Sequence, residues 1–281
     1  MPNHKTVNTL FVLIIPWVAF CSTGFAEDNK ELIPGSDSGF YDTIKKKDPP
    51  AEIKTSFSFS QIDHTGFIKK EAQPSLGSVL KEEENNLIMS THDIIYIKPS
   101  NRGPLVPGTT YQIFSTETIN RKIGSQKFTG IKHLIKAKIK ILEHKTTYAT
   151  ALIIENYHAV LEGDRVMEYY KRNPILTVED HPDPINAILL CSEENALMIN
   201  DHEIAFISIG KERVKPGEIY RVLRKNKFEE YVRWPQAKKE NAVDLENLES
   251  GKLIVLHTED IASTVMILSS KYAIHPDDMV N

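Results

Sequence analysis

The sequence predicts a mainly β protein made of two tandem small antiparallel β-barrel or sandwich units related by internal duplication. Three observations carry this. Short β-branched and aromatic runs recur between Pro-Gly and Asp-bearing turns. One stretch, residues 134–142, alternates Ile135, Ala137, Ile139 and Ile141 with Lys136, Lys138 and Lys140, a period of two that puts aliphatics on one face and ammonium groups on the other. Two collinear blocks also match each other at long spacing, and no sustained 3.6-residue period competes with them.

The elements follow in chain order. A short basic start, Met1-Pro2-Asn3-His4-Lys5, precedes an apolar run over residues 10–20 and the small-residue stretch that ends at Ala26. This pattern reads as a secretory signal peptide, residues 1–26, cut after Ala26 with Gly24 two residues before. The apolar run is shorter than the roughly 20 residues of a membrane span. An uncleaved anchor and a lipoprotein signal ending at Cys21 are the alternatives, and bulky Phe20 speaks against the second. Cleavage leaves Cys191 as the one cysteine, so no internal disulfide and no transmembrane span are expected. Residues 27–52, with Pro34-Gly35-Ser36, three lysines and Pro49-Pro50, read as a flexible linker.

Residues 53–172 then form the first β unit and residues 173–281 the second. Residues 79–113 match residues 188–222 at a spacing of 109, pairing Asn86 with Asn195, Ile95 with Ile204, Pro107-Gly108 with Pro216-Gly217 and Tyr111 with Tyr220. Residues 139–166 match residues 253–280 at a spacing of 114, pairing Asp164 with Asp278. About five residues are therefore inserted between the halves of the second unit.

Composition sets limits on function. The 34 Lys+Arg against 38 Asp+Glu leave a net charge of −4, which gives no basis for nucleic-acid binding through phosphates. Two cysteines exclude a disulfide scaffold and a Cys-rich zinc site. The ten histidines show no metal-ligand spacing, and no nucleophile motif, phosphate loop or dinucleotide fingerprint is present. No catalytic residue, metal or cofactor is expected. Cys191, in an apolar run, reads as a buried hydrophobe.

The run Thr65-Gly66-Phe67-Ile68, then Gly77-Ser78-Val79, then residues 92–97, then Val106-Pro107-Gly108 and Tyr111, then Leu161-Glu162-Gly163-Asp164-Arg165-Val166, carries a resemblance. It resembles the β-rich region that follows the LysM module in exported LysM-domain proteins of Gram-negative bacteria. More weakly, it resembles the C-terminal domain of the periplasmic flagellar assembly protein T. The resemblance spans roughly residues 60–280 and implies a β-rich periplasmic or outer-envelope protein. Residues 27–60 hold no Gly-Asp-Thr-Leu-type LysM start, so direct peptidoglycan binding is not implied.

Pro107, Gly108, Gly163, Asp164, Pro216, Gly217 and Asp278 read as structural turns. Two patches are candidates for binding. Lys136, Lys138 and Lys140, with Lys132, could touch an anionic wall polymer or lipid, or simply be a solvated strand face. Tyr231 and Trp234, in the inserted segment, could form an aromatic contact or pack over a barrel end. The expected function is a non-catalytic exported envelope protein acting as a scaffold or interaction module, with an envelope protein or cell-wall polymer as partner. An accessory subunit of a flagellar or secretion ring is the alternative, and a hydrolase with a cryptic site the third reading.

Overall fold

The computed structural model describes residues 55–180, 183–228 and 243–281. The expected leader and linker, with Tyr231 and Trp234, lie outside the described residues. Residues Glu52–Asn281 form one compact unit.

The described chain opens with strand β1 (Ser56–Ser58), a single 3-10 turn (Ile62–His64) and β2 (Phe67–Lys69). Six strands follow: β3 (Gly77–Glu82), β4 (Ile94–Pro99), β5 (Thr110–Ile123), β6 (Gln126–His144), β7 (Ala149–Asn156) and β8 (Arg165–Glu168). Every pairing among them is antiparallel, in the order β3-β4-β7-β6-β5-β8 and back to β3. The sheet therefore closes on itself, which removes its free edges. Ile95, Ile97, Ile113, Ala137, Ile139, Ile141, Ala151 and Ile153 fill the interior. This is the period-two aliphatic face of β6 turned inward, as alternation requires.

Two short strands, β9 (Ile175–Thr177) and β10 (Glu179–Asp180), lie in the connection. β9 pairs with β1, and β10 runs parallel to the later strand Glu218–Arg224. The second set is β11 (Ala187–Ser192), β12 (Ile204–Ile207), β13 (Glu218–Arg224), β14 (Lys227–Phe228), β15 (Val243–Asp244), β16 (Leu248–Thr258), β17 (Ser263–Ser270) and β18 (Met279–Val280). Its ring is β11-β12-β17-β16-β13-β18 and back to β11, the same order of connections as the first. β14 and β15 extend the β13–β16 hairpin beyond the barrel.

The register matches position by position, with one correction. The pair Ile94 with Leu152 corresponds to Ile204 with Met266, so the spacing in this block is 110 and not the expected 109. Ile95 thus corresponds to Ala205, and Asn85, not Asn86, to Asn195. Backbone torsions agree, since Asn85 and Asn195, and His92 and His202, all take positive φ. Because Ile94-Ile95 and Ile204-Ala205 are both apolar, the sequence pattern accepts either register. The spacing returns to 109 at Gly108 and Gly217, whose N–H groups donate to Ile141 and Val255 at 2.8 Å. Both glycines have positive φ after a proline, which is what a tight Pro-Gly turn demands.

The closing turns also correspond. Gly163 and Asp277 take positive φ, and the next residue, Asp164 or Asp278, accepts a hydrogen bond from the N–H three residues earlier (Leu161 at 2.7 Å, His275 at 2.9 Å). In each turn the carboxylate thus holds a backbone N–H three residues earlier.

Candidate functional site: the seam between the barrels

The first barrel's β5–β6 hairpin is longer than the barrel needs. Beyond Phe114 and Ile135 the two strands continue paired to Ile123 and Gln126. This arm lies on the outer wall of the second barrel, where Ile119, Ile123 and Phe128 meet Leu190, Cys191, Phe206 and Ala262. Arg121 Nε donates to the Leu190 carbonyl at 2.9 Å. Cys191 is buried here, and burial pushes its thiol up to about 11. At the arm's edge β2 adds a third strand, and Thr264 Oγ1 of the second barrel donates to the Gly66 carbonyl at 2.8 Å. Gly66 leaves no room for a side chain, because a Cβ there would strike the His133 carbonyl.

Polar groups complete the seam. Glu193, from the second barrel, accepts a hydrogen bond from the Gly66 N–H at 2.5 Å. Burial drives its carboxyl up to about 7 against the opposing pull of that hydrogen bond, Lys132 and Arg172. Lys132 Nζ donates to the Glu193 carbonyl at 3.1 Å and to Asn195 Oδ1 at 2.6 Å, and sits 2.9 Å from Glu117. Arg172 donates to the carbonyls of Ile62 and Thr65 at 3.0 and 2.8 Å and so ties down the segment that leads into β2. Asp63 accepts from the Arg172 N–H and the Tyr169 hydroxyl, both at 2.6 Å. His133 is buried in a stack with Phe67, its Nε2 accepting from the Gln73 N–H at 2.8 Å. Burial lowers it to about 4, so its ring is neutral.

An open groove of about 650 Å³ runs along this seam, lined by His64, Glu155, Tyr157 and His158 from the first half and Glu193 and Ile204 from the second. His64 stacks on Tyr157 with centroids 3.5 Å apart, and His158 Nδ1 lies 3.1 Å from Glu194. Burial lowers both histidines. The groove offers hydrogen-bonding groups along an open trough. Among the described residues, no group of three or more His, Cys, Asp or Glu is placed to hold a metal ion.

The lysine stripe is not the solvated face that the alternation suggests. Lys132 and Lys136 are buried. Lys136 Nζ is 3.0 and 2.9 Å from the two Asp164 oxygens, and Lys138 Nζ is 2.9 Å from Glu155 and over the Tyr169 ring. Lys140 alone of the three points to solvent. The reason is tertiary: Asp164 and the segment around Tyr169 close over this face of β6. Glu193, Asp63 and Arg172 were not legible as site residues. Glu193-Glu194-Asn195 and Glu83-Glu84-Asn85 are the same tripeptide at the same place in each barrel, yet Glu83 is exposed and Glu193 is covered by the arm.

No helix among the described residues is long and apolar enough to cross a membrane. The fold is thus that of a mainly β protein with closed six-strand rings joined by a built seam. No family model matches the chain, and no curated protein matches it.

Proposed function

We propose that the chain is an exported, non-catalytic cell-envelope protein that acts as an interaction or scaffold module. In this reading a single six-strand barrel has duplicated, and an envelope protein or cell-wall polymer is the partner. The matched strand orders and the equivalent turns support the duplication. The observation that carries the interaction reading is a pair of apolar turn tips. Leu87 and Ile88 are 88% and 61% exposed, and Leu197 and Met198, at the equivalent positions, are 83% and 51% exposed. Next along each turn, Met89 and Ile199 are buried and bridge to Val160 and Ile274, so each tip is held on a fixed base. Single exposed apolar residues are ordinary, but the same adjacent pair at equivalent turns of two barrels is a displayed feature.

The test is capture from envelope fractions on immobilised mature protein, against a variant with Leu87, Ile88, Leu197 and Met198 all replaced by Ser. Retention of envelope protein or wall polymer by the wild type and its loss in the variant are expected. Equal retention by both, or none by either, removes the tips as the contact surface.

A further inference from the structure

A second pocket, of about 460 Å³, opens where the connection between the barrels meets the second one. Its floor is apolar, with Ile62, Leu176 and Leu256 buried. Arg172 and Lys215 bring positive charge to its lining, and Glu179, the one carboxylate there, is exposed. This volume suits a small ligand or a chain end rather than a folded partner.

Arg172 is only partly provided for. It is half-buried, and burial lowers its pKa, so water does little to solvate its charge. Its Nη1 donates to the carbonyls of Ile62 and Thr65 at 3.0 and 2.8 Å and to Thr65 Oγ1 at 2.7 Å. Nε and Nη2 carry no hydrogen bond to a described residue, and Arg172 makes no ion pair with one. The three carboxylates whose charge it feels, Glu259, Asp63 and Glu193, are committed elsewhere. Asp63 holds the Arg172 backbone N–H and the Tyr169 hydroxyl, and Glu193 holds the Gly66 N–H. Glu259 lies 3.0 Å from His257 and 3.8 Å from Lys69. A charge withdrawn from water is stabilised by a partner of opposite sign, and here that partner is missing. The free Nε–Nη2 edge presents two parallel N–H groups at the spacing of a carboxylate's oxygens.

The backbone adds a second set of partners. Pro174 and Val178 bond to Phe59 and Thr55 beside β1, so by strand alternation Ile175 and Thr177 turn their backbone groups away from it. The Ile175 carbonyl and the Thr177 N–H have no partner among the described residues, and both residues line the pocket. A peptide amide can use both groups, whereas a fatty acid cannot.

We propose that this pocket binds the C-terminal carboxylate of a short peptide, gripped by the Nε–Nη2 edge of Arg172, with an aliphatic side chain over Ile62, Leu176 and Leu256. The site goes beyond the envelope contact at the turn tips and shares no residue with them.

Isothermal titration calorimetry of the mature chain tests this, with an N-acetylated tripeptide of alanine, alanine and leucine as probe. The free acid should bind, and the same peptide ended by an amide should bind about 10-fold more weakly or worse. Arg172→Lys keeps the charge but loses the paired N–H edge, and should weaken binding of the acid by about 10-fold. Because Arg172 also ties Ile62 and Thr65, Lys215→Glu serves as a variant outside those bonds. Lys215 is exposed, and reversing its charge should weaken the acid by about threefold, with a smaller effect at high salt. Equal affinity for acid and amide, no binding at millimolar acid, or displacement of the acid by an equal concentration of inorganic phosphate overturns the proposal. So does unchanged affinity in Arg172→Lys, or in Lys215→Glu should the first variant not fold. Capture of envelope material reads the turn tips, so the two results stand or fall separately.

Discussion

Lys136 and Asp164 form a buried ion pair that the second barrel does not repeat. Lys136 Nζ lies 2.9 Å from Asp164 Oδ2, which also accepts the Leu161 N–H. The residue equivalent to Asp164 is Asp278, and the residue equivalent to Lys136 is Ser250, buried with its hydroxyl unpartnered. Burial accordingly raises the Asp278 carboxyl above the ordinary aspartate range.

Removing the lysine strands a buried carboxylate, whereas removing the serine hydroxyl strands nothing. Lys136→Met should therefore cost about 3–5 kcal/mol of stability, while Ser250→Ala should stay within about 1 kcal/mol. Urea denaturation of both variants at neutral pH checks the contrast. Equal costs would show that the pair is not the main brace of its barrel.

Glu193 and His133 should impose opposite pH slopes on stability. Glu193 moves from its usual 4.5 up to about 7 on folding, so between those values the folded state holds a proton that the unfolded state has lost. Stability from this group is greatest below 4.5 and declines as pH rises to about 7, by up to about 3 kcal/mol. Relative to the wild type, Glu193→Gln should gain stability as pH rises through that window. His133 moves from 6.5 down to about 4, so the unfolded state holds the extra proton and stability falls as pH drops from 6.5 to 4. His133→Asn should lose that acid sensitivity. Denaturation midpoints at several pH values from 4 to 8 read both differences, and parallel curves for variant and wild type would contradict them.

The seam should behave as core. Ile119 and Phe206 are buried in the arm-to-barrel cluster. Ile119→Ala should cost about 2–4 kcal/mol, and Phe206→Ala about 3–5 kcal/mol, through lost contact and the cavity left behind. Far-UV circular dichroism should keep its β signature while the thermal midpoint falls. A small change for Ile119→Ala alone would mean that the arm is held by its polar contacts at Lys132, Asn195 and Arg121.

Export is checked at the chain's start. N-terminal sequencing of protein recovered from the envelope should begin at Glu27, in line with the small residues before the cut. A start at Cys21 or retention of Met1 would replace the signal-peptide reading with a lipoprotein or anchor.

The strands were legible because their signals are local. Alternation along Ile135, Ala137, Ile139 and Ile141 needs no partner to be read, and Pro107-Gly108 and Pro216-Gly217 mark turns by their own torsional preferences. The correspondence between the two barrels is legible only to within one residue, since an apolar pair tolerates a slip that Asn85, Asn195, His92 and His202 resolve through positive φ. Whether the lysine stripe is solvated or paired is not legible in the sequence, because a period-two polar face looks the same whether water or an aspartate lies opposite.

By itself, then, the sequence determined the β class, the turn positions and which face of each strand is apolar, because these follow from side-chain size and backbone preference along a few residues. Tertiary structure alone decided that the β5–β6 arm crosses to the second barrel, that Lys136 is paired with Asp164, and that Glu193 is partly covered while its counterpart Glu83 is exposed. Each of those depends on groups far apart in the chain, whose charge and hydration change only when another element closes over them.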